Sequence, residues 1–477
     1  MAAVLSSLFA GTACAGPALD ALNGLGGQDS SVHGTYYHVG VSPQPADSRA
    51  VNLELREPSH AIPGCTLSLK GPVSSGVYGS CVGGSRVLLD QTPAISSPED
   101  ILKGNVNGAA GASMNENISC EFTAMTAEDW KTTGLSHKFR CYRINTDPSK
   151  SGKYFNSKGK LIPEAVSVGK SGAGNAGLLL NANGQPVMDS SGKPSKAEKL
   201  KVKYYLGNSR MREPFTETAA NRLFWALGIP ADYVFFPKQI ICYGCAQSPY
   251  ESRQDAPVPG SRAFQWASFE KNFDGEEIES GSEKGWGWEA LSRSLKAGGR
   301  IAHFDALFLA ARLVAMSRPK PLQNKLRCAA LDRESGQCSQ VYSYVADLGS
   351  TFGKNSLLES PRGDLAGYGT QNVFADKKAC ALPEDYLSGH LVSEGGRVLL
   401  AQRLLASFGD GAGGIDYAKA RALFQAAHFE GIDMDPADSG EIDAWTAKMV
   451  SLMKEVLTAG CQANPTPEAH DPDGIFL

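Results

Sequence analysis

Residues 200–228 read LKVKYYLGNSRMREPFTETAANRLFWALG. Leu200 to Tyr205 reads as a strand, and it carries Lys203. Glu213 to Leu227 has the period of a helix, with Phe215, Ala219, Leu223 and Ala226 on one face and Gly228 as its stop. Upstream, Val166-Ser167-Val168 and Leu178-Leu179-Leu180 read as strands around a glycine loop, Gly172-Ala-Gly174-Asn-Ala-Gly177. A dinucleotide-binding GxGxxG needs a helix directly after the glycines. Here a strand and a turn follow, which favours a strand-loop-strand flap. Downstream, Ile301 to Met316 is a strong helix with Ile301, Phe304, Leu307, Phe308, Ala311, Val314 and Ala315 on its buried side. An irregular stretch, Ser317 to Leu326, separates it from a strand over Val341 to Asp347 that ends in Asp347-Leu348-Gly349.

The order of these pieces carries the functional reading. A strand-loop-strand flap covers nucleotide phosphates in kinases. A strand lysine paired with a helix glutamate, as Lys203 could be with Glu217 fourteen positions later, holds the α- and β-phosphates of ATP. An Asp-x-Gly after a strand supplies a metal-binding carboxylate, the role expected of Asp347. The Asp347–Gly353 segment resembles the metal-binding segment of secreted-pathway kinases and type II phosphatidylinositol 4-kinases. Lys203-Tyr204 through Glu217–Gly228, with Gly285-Trp286-Gly287-Trp288, is similar to an uncharacterised exported bacterial family with a HipA-like kinase core. The resemblance covers roughly residues 160–460 and implies a two-lobed protein-kinase-like domain. It further implies binding of ATP or another nucleotide with Mg²⁺ or Mn²⁺. Catalytic roles would fall to Lys203, Glu217 and Asp347, and nucleotide contacts to Gly172, Gly174, Gly177, Lys203 and Lys320. The metal would sit on Asp347 with Gln323 or Asn324.

One departure bears on activity. The family pattern in the catalytic loop is like Trp-Asp-x-Lys-x-x-Asn-Gln-Arg-Leu. Aligning on Leu326 and Cys328 puts Arg318 at the aspartate, Lys320 at the lysine, Gln323 at the asparagine and Asn324 at the glutamine. No local carboxylate then accepts the proton of a substrate hydroxyl. His303 and Asp305 lie about four turns back on the preceding helix. The chain therefore reads as a kinase-like phosphotransferase with an unknown protein or small-molecule acceptor. The alternatives are a pseudokinase that binds without turnover and a secreted protein-binding module.

Composition limits the remaining choices. The chain has 477 residues, 42% hydrophobic and 20% charged, which supports a sizeable core. Its 46 basic and 50 acidic residues leave a net charge of −4, which argues against a nucleic-acid partner. Residues 1–15, MAAVLSSLFAGTACA, read as a signal peptide, although they lack a basic residue, and 16–34 as a flexible mature N-terminus. No stretch reads as a transmembrane span. Of eleven cysteines, Cys14 would leave with the signal, and an even number would remain, as in an oxidised, exported framework. Cys65, Cys81, Cys120 and Cys141 are expected to pair among themselves, and Cys328 with Cys338. Cys242-Tyr-Gly-Cys245 is read as a tight structural disulfide.

Period-two strands between Thr35 and Ile144 suggest a disulfide-stapled β-rich domain over 35–150, with a boundary in the polar stretch Asn145–Lys160. The kinase-like domain would take 151–477. The fold class is therefore α+β. Asn183 to Lys199 reads as a polar insertion, and helices are expected at about 388–407, 416–427 and 441–458. No internal repeat is seen. Trp286 and Trp288 read as packing residues, and Asp433, Asp435 and Asp438 as the cap region of the last helix.

Overall fold

The computed structural model describes residues 66–69, 77–80, 115–125, 136–145, 152–170, 174–207, 212–229, 231–271, 276–278, 301–316, 324–328, 331–332, 337–338, 341–353, 363–383, 391–432 and 441–461. The expected signal peptide, the strands proposed before Thr66, Trp286, Trp288 and the aspartates between 433 and 440 lie outside these residues.

Strands β1 (Thr66–Leu69) and β2 (Val77–Ser80) form an antiparallel hairpin. Then come β3 (Asn117–Thr123), β4 (Lys138–Ile144) and two short hairpins, β5 (Tyr154–Phe155) with β6 (Leu161–Ile162) and β7 (Ser167–Val168) with β8 (Leu179–Leu180). β9 (Lys199–Tyr204) leads to helix α1 (Glu213–Ala226), followed by β10 (Tyr233–Phe235), β11 (Gln239–Tyr243), β12 (Ser261–Phe264) and β13 (Ala267–Lys271). Seven of these strands lie in the order β10-β13-β9-β4-β3-β11-β12, and β5 and β6 branch from β4 to complete a nine-stranded mixed sheet. The sheet curls: two residues join β12 to β13, and Phe264 packs 4.9 Å from Phe139 and 5.1 Å from Tyr204.

The second half of the chain adds β14 (Glu276–Ile278), α2 (Ile301–Leu313), β15 (Asn324–Cys328), β16 (Leu331–Asp332), β17 (Gln337–Cys338) and β18 (Val341–Val345). β14, β15 and β18 make a three-stranded antiparallel sheet. Four helices close it: α3 (Leu365–Gly369), α4 (Glu394–Phe408), α5 (Tyr417–Ala426) and α6 (Glu441–Thr458). α5 and α6 agree with the sequence expectation to within a residue at their ends, whereas α4 starts later than the expected 388, at Glu394 behind its Ser393 cap.

The boundary expected near residue 150 falls inside the large sheet. β4 pairs with β9 along five residues, and Phe122, Phe139 and Cys141 share one core with Leu200, Val202 and α1. The polar stretch after Asn145 is the β5–β6 excursion, not a linker. Helix α1 begins at a proline-bearing first turn. It ends where Gly228 turns left-handed at φ +73°, its N–H bonded to the Trp225 carbonyl. All fourteen of its residues are buried, because the sheet covers one side and Phe429 and α5 the other. A one-face apolar stripe underestimates such a helix.

Disulfides join Cys120 to Cys141, Cys242 to Cys245 and Cys380 to Cys461. The first fits pairing within the N-terminal group, and the second the expected tight bridge. Cys65 and Cys81 and the side chains of Cys328 and Cys338 lie outside the described residues. Among the described residues no helix is long and apolar enough to cross a membrane.

Candidate functional site

β9 pairs with β4 on one side and β13 on the other, so strand alternation sorts its side chains cleanly. Leu200, Val202 and Tyr204 enter the core. Lys201 and Lys203 point to the opposite face, toward α1. Glu213 and Glu217 stand one turn apart on that helix and so share a face.

The Lys203 ammonium lies 2.7 and 2.8 Å from the two oxygens of Glu217, 2.7 Å from Glu213 and 3.3 Å from Asp347 Oδ1. Glu270, on β13, is 3.5 Å away and also bonds Lys201 at 2.6 Å. Four carboxylates from three elements therefore surround one buried lysine. Burial works against the Lys203 charge, but Glu213, Glu217, Asp347 and Glu270 outweigh it and hold its pKa well above the ordinary value. Burial, with Glu270, Glu213 and Asp347, pushes Glu217 up to about 8 against the pull of Lys203. Glu270 goes the other way: Lys201 and Lys203 overcome its burial and bring it down to about 2. Asp347 is held well below the carboxylate range, mainly by Lys203. Its side chain is 55% exposed, so it presents a fixed negative charge to solvent.

Local structure explains how Asp347 gets there. It follows β18 in the left-handed region at φ +57°, a costly conformation for a residue other than glycine. The turn is held on α1. Thr216 Oγ1 donates to the Gly349 carbonyl at 2.8 Å, and Thr351 Oγ1 to the Leu348 carbonyl at 2.9 Å. Gly349 cannot carry a side chain, since a Cβ there would run into Glu213. Beyond the turn, Phe352 is fully buried and meets Tyr368, Phe424, Phe429 and Trp445 edge-on.

Lys203, Glu217 and Asp347 thus lie together. The glycine loop has the strand-loop-strand form read from the sequence: β7 and β8 pair antiparallel, and Gly177 N–H bonds the Gly169 carbonyl. Its position differs from the expectation. Gly177 sits against the Tyr142 hydroxyl, and Tyr142 opposes Lys199 at the start of β9, four residues before Lys203. Gly174 lies in the same loop, whereas Gly172 is outside the described residues. The β3–β4 connection instead ends at Lys138, directly opposite Lys203. Arg318, Lys320 and Gln323 also lie outside. Asn324 opens β15 and pairs with Val345, two residues before Asp347. Asp305 is not a spare base: its Oδ2 accepts from the Ser393 N–H at 2.8 Å and the Ser393 hydroxyl at 2.5 Å, tying α2 to the start of α4.

Sequence reasoning missed Glu213 and Glu270. Spacing could have found Glu213, four positions before Glu217 on one helix face. Nothing local marks Glu270, whose place depends on β13 pairing with β9. Comparison with known proteins found no matching family model, no matching curated protein and no matching solved structure.

Proposed function

We propose that this chain is an exported kinase-like protein whose cleft around Lys203 and Asp347 binds a nucleotide together with Mg²⁺ or Mn²⁺. The observation that carries this reading is the Lys203 ammonium lying between Glu217 and Asp347, residues 14 and 144 positions away. The arrangement suits a lysine that hands charge to phosphates and an aspartate that meets a metal. The order of pieces supports the same reading: lysine strand, glutamate helix, long helix, then a strand ending in Asp347.

The donor set fits a hard divalent cation. Oxygens of Glu213, Glu217 and Asp347 lie within 4.8 Å of one another, and carboxylate oxygens suit Mg²⁺ or Mn²⁺. Asp347, with Glu213 beside it, would hold the ion, which would neutralise phosphate charge. Export is supported by three disulfides, as expected of an oxidising compartment.

A second reading, binding without turnover, is favoured by the fate of the carboxylates. Those at the cleft are committed to Lys203, and Asp305 to Ser393. Calorimetric titration of the full chain with ATP, with and without Mn²⁺, tests both. Metal-dependent binding is expected, lost in Asp347→Ala while the thermal transition persists. Absence of binding under every metal condition would leave an interaction protein.

A further inference from the structure

We propose that the cleft grips its ligand by a chain of phosphates and not by a base, with Arg140 and Lys201 as the phosphate contacts next to Lys203. The proposal deepens the reading of the cleft as a phosphate site and rests on it.

β4 and β9 pair so that Lys138 opposes Lys203, Arg140 opposes Lys201 and Tyr142 opposes Lys199. Alternation sends the partners between them, Phe139 with Val202 and Cys141 with Leu200, into the core, where all four are fully buried. The opposite face is therefore a ladder of cationic rungs roughly 6.8 Å apart. One end of the ladder abuts the carboxylates of Glu213, Glu217 and Asp347. The other reaches Tyr142 and the glycine loop. Lys138 reports how dense the positive charge is: its pKa is lowered, first by burial and then by Lys201, Lys203 and Arg140.

Lys201 and Arg140 both stay partly open to solvent on this face. Glu270 is buried and bonds Lys201 from the β13 side. Lys201 keeps a side-chain exposure of 22%, and Arg140 is likewise half-buried. A nucleobase would need a flat, largely apolar slot beside the phosphate site. Among the described residues, the positions flanking Lys203 along this face are Lys138, Arg140, Lys201 and Glu270, all charged, with the small polar Ser268 directly opposite it on β13. Arginine supplies a planar fork and lysine a point charge, the pair of donors that a linear phosphate chain uses best.

Calorimetry on the full chain in Mg²⁺ separates this proposal from the reading beneath it. The probes are inorganic tripolyphosphate, ATP, GTP and AMP, with wild type, Arg140→Gln, Arg140→Lys and Lys201→Gln. Thermal melts check that each variant folds. Tripolyphosphate, ATP and GTP should bind within about threefold of one another, and AMP at least about tenfold more weakly. Arg140→Gln and Lys201→Gln should each weaken tripolyphosphate by about fivefold or more, with partial recovery in Arg140→Lys. ATP binding more than about tenfold tighter than both tripolyphosphate and GTP would overturn the proposal and leave the nucleotide reading standing. So would folded Arg140 and Lys201 variants that bind tripolyphosphate like wild type. Tripolyphosphate binding through these residues with no nucleotide binding would keep the proposal and end the nucleotide reading. Binding of none of the probes would overturn both.

Discussion

Glu213 reaches Lys203 only because residue 349 has no side chain. Alanine at 349 would push Glu213 away from the ammonium, so Gly349→Ala should cost about 1–3 kcal/mol. In a Glu213→Ala background the obstruction is gone, and the same change should cost little. Denaturant unfolding of the four proteins in this cycle checks the claim, and an equal cost in both backgrounds would refute it. His137 makes a prediction in pH. It is buried between Tyr204 and Tyr250, each 5.5 Å away, with Glu251 3.3 Å from Nε2. Burial lowers its pKa from 6.5, and Glu251 only partly opposes this. The unfolded histidine therefore takes a proton that the folded one refuses, and stability falls as pH drops through 6.5, by at most about 1.4 kcal/mol per pH unit. Melts of His137→Gln between pH 5 and 7.5 should show a shallower acid limb than wild type.

Helix α1 links the lysine strand to the Asp347 turn, and Thr216 is the joint. Its hydroxyl is the donor to the buried Gly349 carbonyl. Thr216→Val keeps the shape and orphans that carbonyl, at about 1–3 kcal/mol. Metal-dependent binding should weaken with it, measured by the same titrations, whereas a change in stability with unaltered binding would make Thr216 structural only. At this scale the sequence was a good guide to elements and a poor one to neighbours. Lys203, Glu217 and Asp347 were legible because strand, helix and strand-end signals each stand on local chemistry. The glycine loop has the strand-loop-strand form its sequence suggests, and it lies at the Lys199 end of β9. Its nearness to Lys203 in sequence counts for less than the pairing of β9 with β4, some 60 residues earlier. The polar stretches between Asn145 and Lys199 hid a repeated turn. Asn156, Asn181 and Asp189 each accept backbone N–H bonds from residues two and four positions on. A left-handed glycine follows three positions after each, at 159, 184 and 192. The shared signal is only Asn or Asp, two variable residues and Gly, too short to register as a repeat.

Across the whole molecule, one sheet runs through what reads as two domains, because β4 lies directly beside the Lys203 strand and β3 continues the sheet from β4 to β11. The C-terminal helix is fastened by Cys380–Cys461, which closes a span of 81 residues. Replacing both cysteines with serine should cost about 4 kcal/mol by restoring freedom to the unfolded chain. A double variant that unfolds at the wild-type denaturant midpoint would contradict this. The central claim is that the carboxylates gathered on Lys203 form a metal and phosphate site. Its most direct test is a crystal grown with Mn²⁺ and a non-hydrolysable ATP analogue, with anomalous data collected at the manganese edge. The account predicts a manganese peak against Asp347, with phosphate density between it and Lys203. A crystal soaked at saturating Mn²⁺ with the analogue bound elsewhere, and no peak at Asp347, would contradict it.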